Sequence, residues 1–567
     1  MRTVGWLAPF AILTACADRV PTGPSAAPAF NESAVVEADT GDIYVDESRG
    51  EESEAGGIST LAFNGLIRIG VVPAASTVRI GGTGEFQVRN KSTGALLLTG
   101  NNEQVDVTLA STTVTTSSRR LQVVCTPSVA DRDAWVARGD AAGFPTYYVF
   151  FTSPTINCWR VFIGERPLPA NTAAEAAYRN QVRAAIPSVP ADAFWRTVTI
   201  TTGVTQYVVT WGSTSVTSPA PVVLTPVTGL ATIGTPASTR RYRGVAEVIK
   251  NSSLPPNQLA GVNELPIEQY LYGVVPRELG PIAFPELEAL KAQAVAARTY
   301  ALSGLGKRSS DGYDLLPTTA DQVYGGYQDE HPLSNQAVDE TAGVVATYNG
   351  SLISTLYSSA NGGFSANNEE VFNAPPAAYL RGRPDAERGQ AFEHVPSLEV
   401  FRRHANPVSL RNTGEGDFES DWSRFHRWTF EWTMAEISQV ISAYAQQPVG
   451  KVLAINVTER GPSGRVMRIE YVTEAGTFTD TRDRIRSSLK YINASGTPTS
   501  LLSTLFFIEP LTDPSSKELA GYRVYGGGFG HGVGMSQTGA VGMAEKGHSY
   551  EQILKHYYTG IELNRWY

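Results

Sequence analysis

Apolar and polar residues alternate at short spacing over much of this 567-residue chain, which predicts a protein rich in β-strands. Residues 61–118 carry short apolar runs separated by turn residues at hairpin spacing, so we predict an N-terminal β segment there. Residues 201–260 return to short strands, and the remainder mixes strand and helix patterns. A chain of this length is too long for a single hydrophobic core, so we expect two or three domains. The mixture of patterns predicts a β-rich α+β protein.

Residues 119–200 carry the pattern of a small separate unit. Its predicted elements follow the order β-α-β-β-α-β, which is the ferredoxin-like arrangement, at residues 121–125, 128–142, 147–151, 158–164, 172–185 and 195–200. Ser128 is placed to begin the first helix, and Thr172-x-x-Glu175 has the capping-box form at the start of the second. The first and third strands are neighbours in this topology, which brings Cys125 and Cys158 onto adjacent strands. We therefore predict a disulfide between them in an oxidising compartment, with two buried free thiols as the alternative.

The N-terminus has the features of an export signal. Arg2 precedes an apolar run that is too short to span a bilayer, and Leu13-Thr14-Ala15-Cys16 resembles a bacterial lipobox. We predict a lipoprotein signal peptide over residues 1–16 with lipid on Cys16, and an ordinary signal peptide cut after a nearby alanine is the alternative. Residues 17–60 predict a disordered acidic tether, because nine acidic residues fall between positions 31 and 57.

Composition restricts the classes of ligand. The net charge is −9 and the pI is near 5.5, which argues against nucleic-acid binding because that needs a basic face. The three cysteines form no CxxC or other zinc-ligand spacing. We therefore expect no metal by this route and no cofactor, while a polysaccharide remains compatible with the charge.

Three segments of the C-terminal part combine glycines with polar residues. They run from Asn263 through Glu278 to Tyr300, from Tyr357 to Phe364 (YSSANGGF), and from Gly530 to Ala540 (GHGVGMSQTGA). Taken together, and in this order, they resemble the SpoIID/LytB family, and QVYGG at residues 322–326 and RGPSGR at residues 460–465 add to the likeness. The resemblance implies a SpoIID/LytB-like domain over residues 201–567.

Members of this family remodel peptidoglycan, either as lytic transglycosylases of denuded glycan strands or as amidase enhancers. Some relatives carry Cys and His around the QVY segment and bind zinc. The stretch from Leu315 to Gln322 has neither residue type, so the resemblance adds no reason to expect a metal.

Glu278 aligns with the family's catalytic glutamate. We interpret Val274-Val275 as the end of a strand and place Glu278 between it and the helix that Pro285 begins. A carboxyl among apolar neighbours has a raised pKa and suits a general acid, whereas an isolated loop glutamate would simply be solvated. No second carboxylate is obvious, so a lytic transglycosylase is favoured over a two-carboxylate hydrolase.

Seven further residues are predicted to bind substrate, and each has a structural alternative. Two basic residues share one helix face, three polar residues precede a Gly-Gly turn, and two lie in the third segment: Lys291, Arg298, Ser358, Ser359, Asn361, His531 and Gln537. The alternatives are a solvated basic face, a polar turn and a structural histidine. Gln293 and Tyr300 are interpreted as packing residues.

The unit at residues 119–200 also resembles a SPOR domain, through LQVVCTP at residues 121–127 and WRVFIGE at residues 159–165. SPOR domains bind glycan strands stripped of stem peptides, so the likeness implies a glycan-binding insertion in the SpoIID-like body. The combined hypothesis is an exported, membrane-anchored lipoprotein of the cell envelope, in the outer membrane or periplasm if the cell is diderm. Its expected partners are peptidoglycan glycan strands and a cell-wall amidase. The rivals are a non-catalytic amidase enhancer and a purely structural lipoprotein.

Overall fold

The computed structural model describes residues 63–152, 157–251, 253, 258–386, 398–403, 418–419 and 422–567. Cys16, the predicted signal peptide and the whole predicted tether at residues 17–60 lie outside the described residues. Within these ranges no helix has both the length and the apolar character needed to cross a bilayer. Several sheets combine with helices, which is compatible with the predicted α+β class, while the ferredoxin-like insertion stays a prediction.

Two antiparallel sheets form the first half of the molecule. Their strands are β1 (Leu66–Ala75), β2 (Thr77–Gly82), β3 (Glu85–Asn90), β4 (Leu96–Asn101), β5 (Gln104–Thr126), β6 (Thr146–Thr152), β7 (Asn157–Arg166), β8 (Phe194–Trp211), β9 (Thr214–Ser218), β10 (Val222–Pro226), β11 (Ala231–Thr235), β12 (Ser238–Tyr242), β13 (Val245–Lys250) and β14 (Leu259–Pro266). One sheet has the order β1-β14-β13-β10-β3-β4, and the other has the order β12-β11-β2-β5-β7-β6 with β8 paired to β5 and β9 to β8. Alternate residues of β1 and β2, such as Ile67 and Ile80, enter a shared core.

The long strands β5 and β8 pair without interruption from Asp106–Thr210 to Gln122–Phe194. Both boundaries predicted for the small unit, near residues 118 and 200, therefore fall inside strands. Beyond this two-stranded ribbon, α1 (Val129–Ala141) and α2 (Thr172–Ala185) alternate with β6 and β7, and the local strand order is β8-β5-β7-β6.

The small unit has its own core and a cross-link. Leu121 and Ile163 of the sheet pack against Val182 and other residues of the helices. Ser128 begins α1 as expected, but the cap of α2 is Asn171, whose side chain accepts the Ala174 N–H, one residue before the predicted Thr172. Cys125 and Cys158 form a disulfide with their Cα atoms 5.4 Å apart.

Helices α3 (Ile267–Glu278), α4 (Leu287–Ser303) and α5 (Pro332–Glu340) follow the sheets. The predicted strand before Glu278 is wrong, because Val274 and Val275 belong to α3. Together with Tyr270 and Leu271 they form a buried stripe at helical spacing, which outweighs the strand preference of two adjacent valines. Helix α4 is buried on nearly all sides rather than on the one face that its pattern predicts, because its many alanines allow close packing.

The rest of the chain forms a second core and then returns to α4. Its elements are β15 (Val344–Tyr348), β16 (Ser351–Leu352), β17 (Tyr357–Ser358), α6 (Asn368–Val371), α7 (Leu398–Arg403), β18 (Trp428–Thr433), α8 (Met434–Ala445), β19 (Val452–Arg460), β20 (Val466–Thr473), β21 (Gly476–Thr481), α9 (Ile485–Ser488), β22 (Tyr491–Ile492), β23 (Pro498–Thr499), β24 (Phe506–Thr512), β25 (Leu519–Gly526), β26 (Met535–Ser536), α10 (Gln537–Glu545), α11 (Tyr550–Tyr557) and β27 (Glu562–Arg565). Trp432, Tyr471 and Phe506 lie at the centre of the second core. Helices α10 and α11 pack into the first core, so the last motif lies beside the first.

Candidate active site

The three glycine-containing segments meet at the C-terminal end of α3. Strand β17 of the second segment pairs in parallel with β26 of the third, through Tyr357–Met535 and Ser358–Ser536. The QVYGG segment joins them because the Val323 N–H donates to Glu278 Oε1 at 2.7 Å. Segments that are far apart in the chain therefore surround one carboxyl group.

Glu278 is the last residue of α3 and remains partly exposed. Burial raises its pKa to about 7, while hydrogen bonds from Val323, Gln537 and Tyr357 and the charge of Arg277 oppose a larger rise. The end of a helix also disfavours a negative charge, because the backbone carbonyls point that way. A carboxyl that titrates near neutrality can both give and take a proton, as general acid–base chemistry requires.

The side chains of Tyr357 and Gln537 hydrogen-bond Glu278, and each of them is held in place by a glutamine. Gln322 Nε2 donates to the Tyr357 hydroxyl at 2.9 Å, and Gln537 Nε2 donates to Gln293 Oε1 at 3.2 Å. The sequence analysis selected Gln537 but not Tyr357 or Gln322, and it interpreted Gln293 as packing. The usable signal was the position of Gln322 and Tyr357 at the start of their motifs.

His531 connects the second and third segments. Its Nδ1 accepts the Val533 N–H at 3.0 Å, its ring lies 5.5 Å from that of Phe372, and it hydrogen-bonds the backbone of Tyr357. Burial lowers the pKa of His531 to about 4, so the ring is neutral at physiological pH. Its contacts place it beside Tyr357 as a support.

The polar residues before the Gly-Gly turn differ in whether their side chains have hydrogen-bond partners. Ser358 is buried and its Oγ accepts the Gly532 N–H at 3.1 Å. Ser359 Oγ and Asn361 Nδ2 are buried without a hydrogen-bond partner among the described residues, as is Gln293 Nε2. Unsatisfied buried donors are uncommon and costly, so these three are candidates for groups that act on a ligand.

Lys291 and Arg298 do not reach Glu278 in the described structure. Arg298 is fully buried, pairs with Glu268 at 2.6 Å and donates to two backbone carbonyls. Lys291 pairs with Glu288 and Glu340. Their role in substrate binding stays a prediction: in the described residues Arg298 braces α4 against neighbouring segments, and Lys291 lies in an ion-pair cluster.

A buried carboxylate that the sequence analysis missed ties the second segment to the third. Glu419 accepts the Gly362 N–H at 2.7 Å and the hydroxyls of Ser536 and Thr538, and it lies 3.5 Å from His426 Nδ1. Burial alone would raise the pKa of Glu419, but these hydrogen bonds and His426 lower it. Nothing in the residues near position 419 signals this role, because the hydrogen-bond donors Gly362, Ser536 and Thr538 lie 57 to 119 residues away.

Two glycines of the third segment have conformations that other residues disfavour. Gly532 and Gly534 have φ of 74° and 73°, and a Cβ at either would collide with Arg465 or with the Leu356 carbonyl. Arg465 is fully buried and donates to the Phe364 and Asn361 carbonyls. Because Gly532 has no Cβ, the Arg465 guanidinium can lie against the third segment while it hydrogen-bonds the second segment. Among the described residues, no cluster of three His, Cys, Asp or Glu side chains is arranged to hold a metal ion.

Comparison with known proteins covers the same region. The family described as stage II sporulation protein matches residues 256–348, which include α3, Glu278, α4 and Gln322, and a domain of unknown function matches residues 366–534. The amidase enhancer of Bacillus subtilis is 34% identical over 306 residues, which are 52% of this chain and 40% of that protein. An uncharacterized protein of Brachyspira hyodysenteriae is 31% identical over 305 residues, 53% of this chain and 67% of its own length.

A further relative is stage II sporulation protein D of Bacillus amyloliquefaciens, which is 25% identical over 347 residues, 57% of this chain and 83% of that protein. The chain thus spans 40% of the amidase enhancer but most of the sporulation protein.

Proposed function

The chain belongs to the SpoIID/LytB family, and we propose that it remodels peptidoglycan as a lytic transglycosylase, with Glu278 as general acid and base. The observation that carries the proposal is the carboxyl of Glu278: its pKa is raised to about 7, and residues of QVYGG, of the second segment and of the third segment surround it. We expect denuded glycan strands as substrate.

The proposed reaction uses one carboxyl group twice. Glu278 gives its proton to the glycosidic oxygen that follows N-acetylmuramic acid, and the bond between that oxygen and C1 breaks. The resulting carboxylate accepts the proton of the same sugar's C6 hydroxyl, whose oxygen bonds to C1. The products are a 1,6-anhydro end and a new hydroxyl on the leaving sugar, so no water is consumed and Glu278 is again protonated.

The acidic residues on adjacent segments favour this single-carboxyl route. Asp321 has a fully buried side chain that pairs with Lys307 and Arg308, and Glu419 is fully buried with its own donors. A two-carboxylate glycosidase needs a second acid facing the substrate. Asp321 and Glu419 are both committed to structural partners instead.

A non-catalytic role is the second candidate, because one relative carries the name amidase enhancer. In that case the same site would hold a glycan strand for a separate cell-wall amidase. Glu278 would then act as a hydrogen-bonding group rather than as an acid.

We further propose that the small unit at residues 119–200 grips glycan with the sheet face opposite its helices. Three arginines lie over aromatic rings on this face: Arg120 over Tyr147 at 4.8 Å, Arg160 over Phe151 at 3.2 Å, and Arg196 over Phe194 at 4.6 Å. Burial, and after it the charge of Arg196, lower the pKa of Arg160. Aromatic rings suit sugar faces, and guanidinium groups suit the carboxylate that each muramic acid carries.

The test is to incubate the purified protein with glycan strands, intact and stripped of stem peptides, and to search by mass spectrometry for 1,6-anhydro ends. Glu278→Gln keeps the size and hydrogen bonding of the side chain but has no proton to give. We expect anhydro ends with the wild type and a loss of about 10²–10⁴-fold in the variant. Binding without cleavage, equal in both proteins, would replace the transglycosylase by the amidase enhancer.

A further inference from the structure

We propose that Gln322 is a positioning residue that directs the hydroxyl proton of Tyr357 toward Glu278. The proposal deepens the proposed function, since it concerns the same carboxyl group. It rests on the direction of a hydrogen-bond chain whose two ends, the Ala297 carbonyl and the Glu278 carboxylate, can only accept.

The orientation of the Gln322 amide is fixed by a group that cannot donate. Gln322 is fully buried, and its Nε2 donates to the Ala297 backbone carbonyl at 3.2 Å. A carbonyl only accepts, so the NH₂ group must face Ala297. The amide oxygen then faces Tyr270, whose hydroxyl donates to it at 3.2 Å. A flipped amide would place its oxygen against the Ala297 carbonyl oxygen and lose that bond.

The second N–H of Gln322 sets the direction of the next bond. It donates to the Tyr357 oxygen at 2.9 Å, so the hydroxyl accepts there and its own proton points elsewhere. Tyr357 hydrogen-bonds Glu278, and a carboxylate only accepts, so the proton lies between them. Burial and the charge of Glu278 raise the pKa of Tyr357 well above its ordinary value, which keeps that proton on the tyrosine.

Other groups act on Glu278 from every side. Arg277 precedes it on α3, Tyr300 approaches from α4, and Tyr270 and Tyr357 share its surroundings. Of these, Arg277 is the cation, and it lies 3.5 Å from Asp329. Neutral donors therefore carry much of the stabilisation of the carboxylate, and the direction of the Tyr357 proton matters.

Removal of the amide should release the hydroxyl. In Gln322→Leu the Tyr357 hydroxyl loses the donor that fixes its orientation, so its proton is no longer directed at Glu278. Glu278 then loses a hydrogen bond to its charged form, so its pKa rises by about one unit. Tyr357→Phe should give the same rise, and Gln322→Leu should add nothing in the Tyr357→Phe background, because Gln322 acts through that hydroxyl.

The pKa can be measured without catalysis. Infrared spectra of the full-length protein with ¹³C-labelled glutamate are recorded at a series of pH values. For each variant the same spectra are recorded after Glu278→Gln is added, and the difference between the two sets gives the titration of the Glu278 carboxyl. Tyr324→Phe is the matched control, because it also removes a buried hydroxyl, one that donates to Asn263 instead. Gln322→Met serves as a second variant of similar length, and thermal unfolding checks that each protein folds.

The expected result is a matching rise in Gln322→Leu, Gln322→Met and Tyr357→Phe, with no rise in Tyr324→Phe. An unchanged Glu278 pKa in the folded Gln322 variants, or additive shifts in the double variant, would overturn the inference. In a cleavage assay the same variants should shift the alkaline limb of the pH–rate profile to higher pH, by as many pH units as the pKa of Glu278 rises. If no variant or wild type cleaves glycan but the infrared shifts occur, the proposed function fails and the inference stands.

Discussion

Glu278 occupies a position that opposes its own ionisation, at the end of a helix and largely out of water. Its folded-state pKa of about 7 lies above the ordinary glutamate value, so the folded protein binds this proton more tightly than the unfolded chain does. The contribution to stability is complete at low pH, below the unfolded pKa. It is lost as the pH rises through 7.

This linkage predicts a pH-dependent stability of Glu278→Gln. The glutamine cannot ionise, so the variant should gain on the wild type as the pH rises from 5 to 8. We expect its Tm relative to wild type to increase by roughly 5–10 °C over this range, the effect of about 2.5 kcal/mol in a domain of 150–250 residues. Calorimetry at several pH values measures the difference. A constant difference would show that Glu278 does not titrate in this window.

At the residue scale, motif position selected Glu278 and Gln537, which the structure brings into contact. The sequence did not show Gln322, Tyr357 or Gln293 as their supports. These contacts join segments far apart in the chain, and a buried glutamine has no local pattern that distinguishes support from packing. Arg298 shows the reverse case, since a basic residue on a helix face gives no sign of the buried Glu268 that pairs with it.

At the element scale, the order of strands and helices in residues 119–200 followed from hydrophobic period and cap residues. Two predictions about elements were wrong: the strand predicted at Val274-Val275, and the burial of only one face of α4. Val274 and Val275 have strand preference, yet they fit the buried stripe of α3, and the alanines of α4 hide how completely that helix is enclosed. Both outcomes depend on what packs against the element, which local sequence does not contain.

The disulfide between Cys125 and Cys158 joins β5 to β7 across 33 residues. Reduction should destabilise the small unit by roughly 2–4 kcal/mol, because the open chain gains conformational freedom when unfolded. Urea unfolding followed by the fluorescence of Trp135, Trp159 and Trp195, with and without reductant, measures the loss. A variant with both cysteines changed to alanine should be insensitive to reductant. Equal midpoints for reduced and oxidised wild type would contradict the prediction.

At the scale of the whole molecule, two glycan-binding places on one chain would act together. The family assignment is confirmed, whereas the likeness of residues 119–200 to a SPOR domain stays a prediction. The predicted boundaries of that unit could not be located from sequence, because β5 and β8 cross them as unbroken strands without a turn signal.

The open face of the small unit gives the matching test. Arg160→Gln should weaken binding of the full-length protein to denuded glycan about tenfold, because it removes a guanidinium from the proposed contact face. Arg132→Gln is the control, since Arg132 lies over Tyr148 and Trp159 on the helix side of the same sheet. Sedimentation with purified glycan strands measures both. Equal loss in the two variants would mean that the open face has no special part in binding.

The paired strands β5 and β8 also have a mechanical consequence. Both leave the body side by side and reach the small unit together, so tension between the two parts runs along two covalent backbones in parallel. The cross-strand hydrogen bonds lie across this direction and are not pulled apart by it. If the small unit binds glycan as proposed, a pull on that glycan would pass through the paired strands β5 and β8 to the body without separating them.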